Sequence, residues 1–131
     1  MNTPTPVQIV RRRERLGLTQ LELADMLGYQ ARAVRRWENG QRGMSTGAAT
    51  ALIAIENSVA RQVDLGVAQL ESVAPHARLV VTYRNDAEQD RQARFEPTKP
   101  ASLLRHAAYQ MADKVEGTEV VFADDYYGQN P

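Results

Sequence analysis

Cysteine is absent from the 131-residue chain. The sequence therefore offers no disulfide framework, no thiolate nucleophile and no cysteine-based zinc site, and nothing indicates an oxidising compartment. Long apolar runs are absent as well: no window approaches the about 18 apolar residues that cross a bilayer, and residues 1–10 lack the apolar stretch of a signal peptide. We expect a cytoplasmic protein with no membrane partner. Its length suits one domain or two very small ones and argues against a multi-step enzyme.

Motifs that carry catalysis are also missing. No Gly-rich phosphate loop, HExxH pattern or nucleophile elbow occurs. The two histidines, His76 and His106, stand apart in the sequence and suit surface or capping positions better than a metal site. Asp124 and Asp125 resemble an acid/base pair, but a solvated tail is the simpler interpretation. We therefore predict no enzyme, no cofactor and no bound metal.

Net charge is zero, yet the charges are unevenly distributed along the chain. Residues 1–42 contain eight arginines and four acidic residues, whereas the remainder contains eight basic and twelve acidic residues. A basic first third joined to an acidic remainder suits a chain whose N-terminal part meets phosphates. Chance asymmetry remains open on charge alone.

Helical periodicity and capping residues predict three short helices within the first forty residues. The first ends at Gly17, where its apolar periodicity stops. Thr19 and Glu22 form the capping-box pattern that opens the second helix, which Gly28 closes. The third helix covers roughly residues 30–38 and ends at an Asn-Gly pair that tolerates positive φ.

Apolar residues recur every three or four positions from residue 45 to about residue 73, which predicts one long helix or two in tandem. Gly66 lowers the helix propensity by about 1 kcal/mol relative to alanine, so it marks either a break or a close approach of a second helix. The narrow apolar stripe is typical of a helix that packs against another chain.

The rest of the chain mixes strand and helix signals. Residues 78–84 alternate and predict a strand, and residues 118–122 predict a second one. The charged residues 85–94 favour a surface loop or a solvated strand pair. A helix is predicted between residues 100 and 116. The final segment, ADDYYGQNP, is either a tail or an ordered extension docked by its two tyrosines.

The segment LGLTQLELADMLGYQARAVRRWENGQR resembles the helix-turn-helix of the Cro/cI (XRE) repressor family almost position for position. The resemblance rests on the leading LGLTQ, the LAxxLG turn and the closing VxxWENG, and it covers roughly residues 5–58. It implies a lambda-repressor-like helical bundle that binds double-stranded DNA. It further implies a transcriptional repressor that acts as a homodimer on an inverted-repeat operator.

The resemblance also assigns roles to individual residues. The predicted base-contacting residues are Gln30, Ala31, Arg32 and Arg35. The predicted phosphate-contacting residues are Gln20, Tyr29, Arg36, Asn39 and Arg42. Arg13 and Glu38 match a structural salt bridge, and Val34 and Trp37 match core positions. Arg32 and Arg35 are the best candidates for direct readout, because a guanidinium bridges the two major-groove acceptors of guanine.

Some positions leave two interpretations open. Tyr29 reaches a phosphate or merely covers the turn between two helices. Ala31 replaces the polar residue usual in the family and touches a thymine methyl or nothing. Arg11, Arg12 and Arg15 form either a solvated face or further phosphate contacts.

We therefore expect a helix-turn-helix domain at residues 1–58 and, at residues 59–131, a connecting helix with a small α+β dimerisation region. In the order of its elements, the second half is similar to the C-terminal domain of anti-CRISPR-associated autorepressors. A dimerising appendage of a phage or plasmid repressor is the alternative. The predicted dimer-interface residues are Val63, Val67, Leu70, Leu104, Met111, Val120 and Phe122.

Two other functions stay open at this point. An antitoxin would use its acidic half to neutralise a toxin protein and would become ordered there only on binding. A repressor that also binds RNA would need a second basic surface. The residues that would supply it are Arg78, Arg84, Arg91, Arg94 and Arg105, with acidic neighbours Asp86, Glu88, Asp90 and Glu96.

Overall fold

A computed structural model describes residues 3–94 and 98–128 of the chain. These described residues form seven α-helices, one 3₁₀ turn and two β-strands, so the predicted class, a helical first half followed by a small α+β region, is confirmed. The chain divides into two compact units, Met1–Ser58 and Val59–Pro131. Glu96 and the last three residues of the predicted tail lie outside the described residues.

The first unit is built from short helices whose ends are set by local capping residues. The helices are α1 (Pro6–Arg15), α2 (Gln20–Leu27), α3 (Ala31–Glu38) and the first part of α4 (Thr46–Glu71). At α2 the Thr19 hydroxyl accepts a hydrogen bond from the Glu22 backbone N–H at 3.0 Å, and the Thr19 N–H donates to the Glu22 carboxylate at 2.9 Å. Gly28 ends the helix in the left-handed region at φ 79°. These satisfied backbone groups fix where α2 begins and ends.

Apolar side chains of all four helices form the core of the first unit. The buried residues are Ile9, Leu16, Leu18, Leu23, Ala24, Val34, Trp37, Met44, Ala48, Ala49 and Leu52. Val34 and Trp37 are 0% and 4% exposed, so the inward face of α3 is anchored by one aliphatic and one aromatic side chain. Trp37 belongs to the core and is not available to stack on a base.

The second unit carries a parallel pair of strands joined through helices. After a 3₁₀ turn (Pro75–Ala77), its elements are β1 (Leu79–Thr82), α5 (Asp86–Gln92), α6 (Ala101–Lys114), β2 (Glu119–Phe122) and α7 (Ala123–Tyr127). β1 and β2 pair in parallel, with Leu79 opposite Glu119 and Thr82 opposite Phe122. Parallel neighbours need a crossover connection, which α5 and α6 supply, and α6 packs against both strands.

Residues 86–92 form helix α5, so the prediction of a loop or a strand pair for residues 85–94 was wrong. The Asn85 side chain caps this helix by accepting a hydrogen bond from the Glu88 N–H at 2.9 Å. Glu88 and Gln89 are 1% and 0% exposed. The buried face of α5 is therefore polar, and a search for apolar periodicity could not detect it.

The C-terminal segment is ordered as α7, but its tyrosines do not dock it: Tyr126 and Tyr127 are 55% and 50% exposed. Asp124 docks it instead by accepting two hydrogen bonds from Arg91, at 2.6 and 2.9 Å, and one from Gln92 at 2.7 Å. These donors lower the pKa of Asp124 to about 2. Asp124 is therefore a structural ion-pair partner, and its interpretation as part of a solvated tail was wrong.

Residues 46–71 form the single helix α4, and Gly66 allows a close approach within the second unit. A Cβ atom placed on Gly66 would lie 2.3 Å from Sδ of Met111 and 3.1 Å from its Cγ. Of the two interpretations open for Gly66, a break or a close contact, the structure supports the close contact.

We predict that the effect of Gly66→Ala on the free energy of unfolding has opposite signs with methionine and with alanine at position 111. In the natural chain the substitution should lower the free energy of unfolding by up to about 1 kcal/mol, because Cγ of Met111, and not only the flexible end of its side chain, must move away from the new Cβ. In a Met111→Ala background the same change should raise it by up to about 1 kcal/mol. Urea denaturation of the four proteins measures both effects, and equal signs in the two backgrounds would contradict the close contact.

Candidate functional site

Helix α3 presents two faces of opposite character. Val34 and Trp37 are buried in the first unit, whereas Arg32 and Arg35 are exposed on the other side of the helix. Gln30, the N-cap residue of α3, is exposed and makes no capping hydrogen bond through its side chain. Of the predicted base-contacting residues only Ala31 is half-buried. The exposed face of α3 therefore holds long polar side chains above a rigid apolar anchor.

The arginines of the first unit separate into paired and unpaired groups. Arg12 and Arg13 each form an ion pair with a glutamate. Within residues 3–94 and 98–128, no carboxylate forms an ion pair with the exposed arginines of α3 and the following turn, which are Arg32, Arg35, Arg36 and Arg42. Arg11 and Arg15 of α1 are exposed as well and form no ion pair in this part of the chain. Unpaired guanidinium groups on α3 and the turn after it are suited to bind anions.

Arg13 and Glu38 form a bidentate pair that ties α1 to α3. The Arg13 Nε and Nη2 groups donate to Glu38 at 2.6 and 3.0 Å, while Nη1 donates to the Leu18 carbonyl at 3.0 Å. Burial raises the pKa of Glu38, but hydrogen bonds from Arg13 and Gln20 lower it by a larger amount, so the pKa of Glu38 lies below its ordinary value. The pair fixes the position of α3 on the unit that carries it.

Gln20, predicted to contact a phosphate, belongs to the same network. Its Nε2 group donates to Glu38 Oε1 at 2.9 Å, so its amide supports the placement of α3. Arg12 is likewise held: its guanidinium contacts both carboxylate oxygens of Glu56 in α4. Arg12 is thus neither a solvated residue nor a free phosphate ligand. Glu56 lies 44 positions away, and no sequence signal identified it as the partner.

A small cavity of about 280 Å³ lies between the end of α3 and the start of α4. Tyr29 lies edge-on to Trp37, with 5.0 Å between ring centroids, and its hydroxyl lies 2.8 Å from Ser45 Oγ. The Tyr29 ring therefore covers the turn, and its contact with a phosphate stays a prediction. Arg36 and Arg42 also line this cavity. The guanidinium groups of Arg36 and Arg42, beside the hydroxyls of Tyr29 and Ser45, are suited to bind one phosphate group.

The predicted dimer-interface residues differ in exposure. Val63 and Leu70 are 1% and 6% exposed, so the protomer itself buries most of both side chains. The other five residues of that set, Val67, Leu104, Met111, Val120 and Phe122, are half-buried. The exposed aliphatic side chains nearby are Leu65 and Val73, at 66% and 41%. Sequence periodicity missed these two because it follows the buried stripe of the helix.

The arginines of the second unit are largely committed to internal partners. Arg78 donates to the carbonyls of Leu70 and Glu116, at 3.0 and 2.7 Å. The remaining internal pairs are Arg84 with Glu88 and Asp125, Arg91 with Asp124, and Arg105 with the carbonyls of Tyr83 and Arg84. Four of the five arginines in the set proposed for RNA are therefore occupied in the fold of the protein.

Comparison with known proteins adds one match, to the first unit. Residues 9–55 match the family model described as helix-turn-helix. No curated protein shows a significant match to the chain. In the described parts of the chain, no helix is both long and apolar enough to cross a membrane.

Proposed function

We infer that this chain is a homodimeric repressor of an inverted-repeat operator. The premise is that residues 9–55, which match the helix-turn-helix family model, form a domain of the Cro/cI (XRE) type in a DNA-binding transcriptional regulator. The observation that carries the proposal is the two-faced helix α3. Its buried side fixes the helix in the unit, and its exposed side offers arginines that form no ion pair with a carboxylate in the described parts of the chain. A helix of this width fits the major groove of B-form DNA.

In this proposal α3 is the recognition helix. Arg32 and Arg35 bridge acceptors on guanine, Gln30 contacts an adjacent base or phosphate, and Ala31 contacts a thymine methyl. Arg36, Asn39 and Arg42 are exposed and hold backbone phosphates, which set the register of α3 on the duplex. Arg13 and Glu38 do not contact DNA in this proposal, because they form an ion pair with each other.

Two copies are needed because one recognition helix reads only a few base pairs. A symmetric dimer places two recognition helices on half-sites about one helical turn, ~34–36 Å, apart, which is why such operators are inverted repeats. We propose that the protein represses its own gene, so the region upstream of its coding sequence is the first DNA to examine.

The test is a fluorescence-anisotropy titration of that upstream DNA with the full chain, against a scrambled duplex of the same composition. We expect the natural sequence to bind about 1,000-fold more tightly or better, with two protomers per site, since specific binding typically exceeds non-specific binding by that margin. Equal affinity for both duplexes at every salt concentration would overturn the proposal. A half-site duplex, titrated in parallel, separates loss of DNA reading from loss of dimerisation.

A further inference from the structure

An apolar groove of about 520 Å³ runs along one side of the second unit. Its walls are the later part of α4, strand β1 and the side chain of Met111. Leu65 and Val73 line it and are 66% and 41% exposed, so apolar surface on its wall faces solvent in a single copy of the chain. A continuous exposed apolar surface of this kind marks an interaction site.

The groove follows the free edge of β1. Consecutive residues of a strand point to opposite faces of a sheet, yet Leu79, Val80 and Val81 all line the groove. A cavity that reaches all three lies along the strand's edge. β2 pairs with β1 on one edge, and no strand among the described residues pairs with the other. An unpaired edge is a ready template for another strand.

The two strands are also incompletely covered. Their apolar runs, LVV in β1 and VVF in β2, are continuous, which is typical of parallel strands buried on both faces. All six of these residues are only half-buried in one copy of the chain. An independently stable sheet normally has three or more strands, whereas this one has two strands of four residues each in the described part of the chain. Pairing with the sheet of a second copy would give four strands.

Charge favours a second copy of this chain over other occupants. Residues 59–131 contain eight basic and eleven acidic residues, so a second copy meets like net charge on this unit unless it docks on an uncharged surface. No charged side chain lines the groove in the described residues. An oppositely charged protein or a nucleic acid would need charged groups there, whereas an isologous contact needs their absence.

The polar groups on the groove are self-complementary as well. Gln62 and Gln69 line it, and each amide both donates and accepts hydrogen bonds. Across a two-fold axis, residue i of one copy contacts residue j of the other, and residue j of the first contacts residue i of the second. Side chains that both donate and accept hydrogen bonds are suited to such a symmetric contact. An antiparallel pair of identical strand edges meets the same requirement.

We propose that this groove is the homodimer interface: the free edge of β1 pairs antiparallel with β1 of a second copy, and Leu65 of each protomer packs into the partner's groove. This proposal rests on the proposed function, because the requirement for a dimer comes from the inverted-repeat operator. It replaces the buried Val63 by the edge of β1 and the exposed side of α4, and it keeps Leu70 and Met111, which line the groove.

The test is sedimentation of the full chain over a range of concentrations, comparing the natural protein with Leu65→Glu. We expect the natural protein to be a dimer and the variant's dimer dissociation constant to rise by about 100-fold or more, because dimerisation would bury an unpaired carboxylate. Tyr109→Glu is the matched control: Tyr109 is 41% exposed on α6 and does not line the groove. It should dimerise like the natural protein.

A second measurement guards against misfolding and uses the absence of cysteine. Leu65→Cys and Tyr109→Cys each create a single thiol, whose alkylation rate reports its exposure. We expect the rate at position 65 to fall at least about tenfold between dilute and concentrated protein, while the rate at position 109 stays constant. Equal rates at both positions in a dimeric protein would overturn this interface.

The outcomes also separate this proposal from the proposed function. If the natural protein and Leu65→Glu are both dimers, the groove is the wrong surface and the homodimeric repressor stands. If the natural protein is a monomer that binds a half-site duplex, the dimer and this interface both fail, while DNA binding stands. If it is a monomer whose groove binds an apolar dye only when Leu65 is present, the groove is a small-ligand site and the proposal is overturned.

Discussion

Replacing Arg13 by methionine should lower the free energy of unfolding by about 3–5 kcal/mol, because the carboxylate of Glu38 would stay buried without its cation. The Glu38 side chain is 5% exposed and that of Arg13 is 15% exposed. Methionine keeps most of the aliphatic volume, so the loss reports the ion pair rather than packing. Urea denaturation with linear extrapolation measures it.

Arg12→Met is the matched control for this prediction. Arg12 is the neighbouring residue, has the same chemistry and also forms a bidentate pair, but its side chain and that of Glu56 are 26% and 27% exposed. Solvent screens a more exposed pair, so we expect a loss of about 1 kcal/mol or less. Equal losses in the two variants would show that burial does not decide the contribution of these pairs.

The same pair gives an acid-side check. Because the folded protein holds the pKa of Glu38 below its ordinary value, the ionised carboxylate stabilises the fold at pH values above that ordinary pKa. This contribution is lost as pH falls through the lowered folded value, since the unfolded chain binds the proton first. Glu38→Gln should lack this part of the acid dependence, and identical stability profiles for the two proteins at acid pH would argue against it.

Arg35→Ala should remove the preference for one operator base pair in each half-site, by about 1–3 kcal/mol, or roughly 5- to 150-fold in binding constant. Arg35 is exposed on α3 and has no ion-pair partner among the described residues, so its guanidinium is free to bridge two acceptors of guanine. The measurement is binding of the natural and variant proteins to operators changed symmetrically at single base pairs.

Arg42→Ala is the comparison that makes this result specific. Arg42 lines the cavity between α3 and α4 together with Arg36 and should hold a phosphate, which carries no sequence information. Its loss should weaken binding to every duplex alike and reduce the slope of log K against log salt by about 1 for each phosphate lost. If both variants weaken all duplexes equally, the base-reading role of Arg35 is wrong.

Signals that act over a few residues were readable in the sequence. Thr19, Glu22 and Gly28 set the ends of α2, because capping satisfies backbone groups within one helical turn. The two faces of α3 followed from the spacing of Val34 and Trp37 against the arginines. The helix-turn-helix could be recognised for the same reason, since its motif is a continuous run of such local signals.

Other features depended on partners far along the chain or on burial of polar groups. Helix α5 escaped prediction because Glu88 and Gln89, which face the interior of the protein, are polar. Glu88 accepts a hydrogen bond from the Asp124 N–H, and the Gln89 amide donates one to the Thr98 carbonyl. Asp124, not the tyrosines, docks α7 through Arg91, and no local pattern encodes that pair. Arg12 likewise found Glu56, 44 residues away.

The sequence by itself determined helix α3 and the helices that support it, because capping, turn residues and apolar spacing act locally and leave a readable pattern. Only the tertiary structure decided which arginines remain free for an anion and which are held by carboxylates. It also decided which side of α4 faces solvent, burying Val63 and exposing Leu65. Ion pairing and burial are settled by which distant side chains the fold brings together, and a linear pattern of residue types does not specify that.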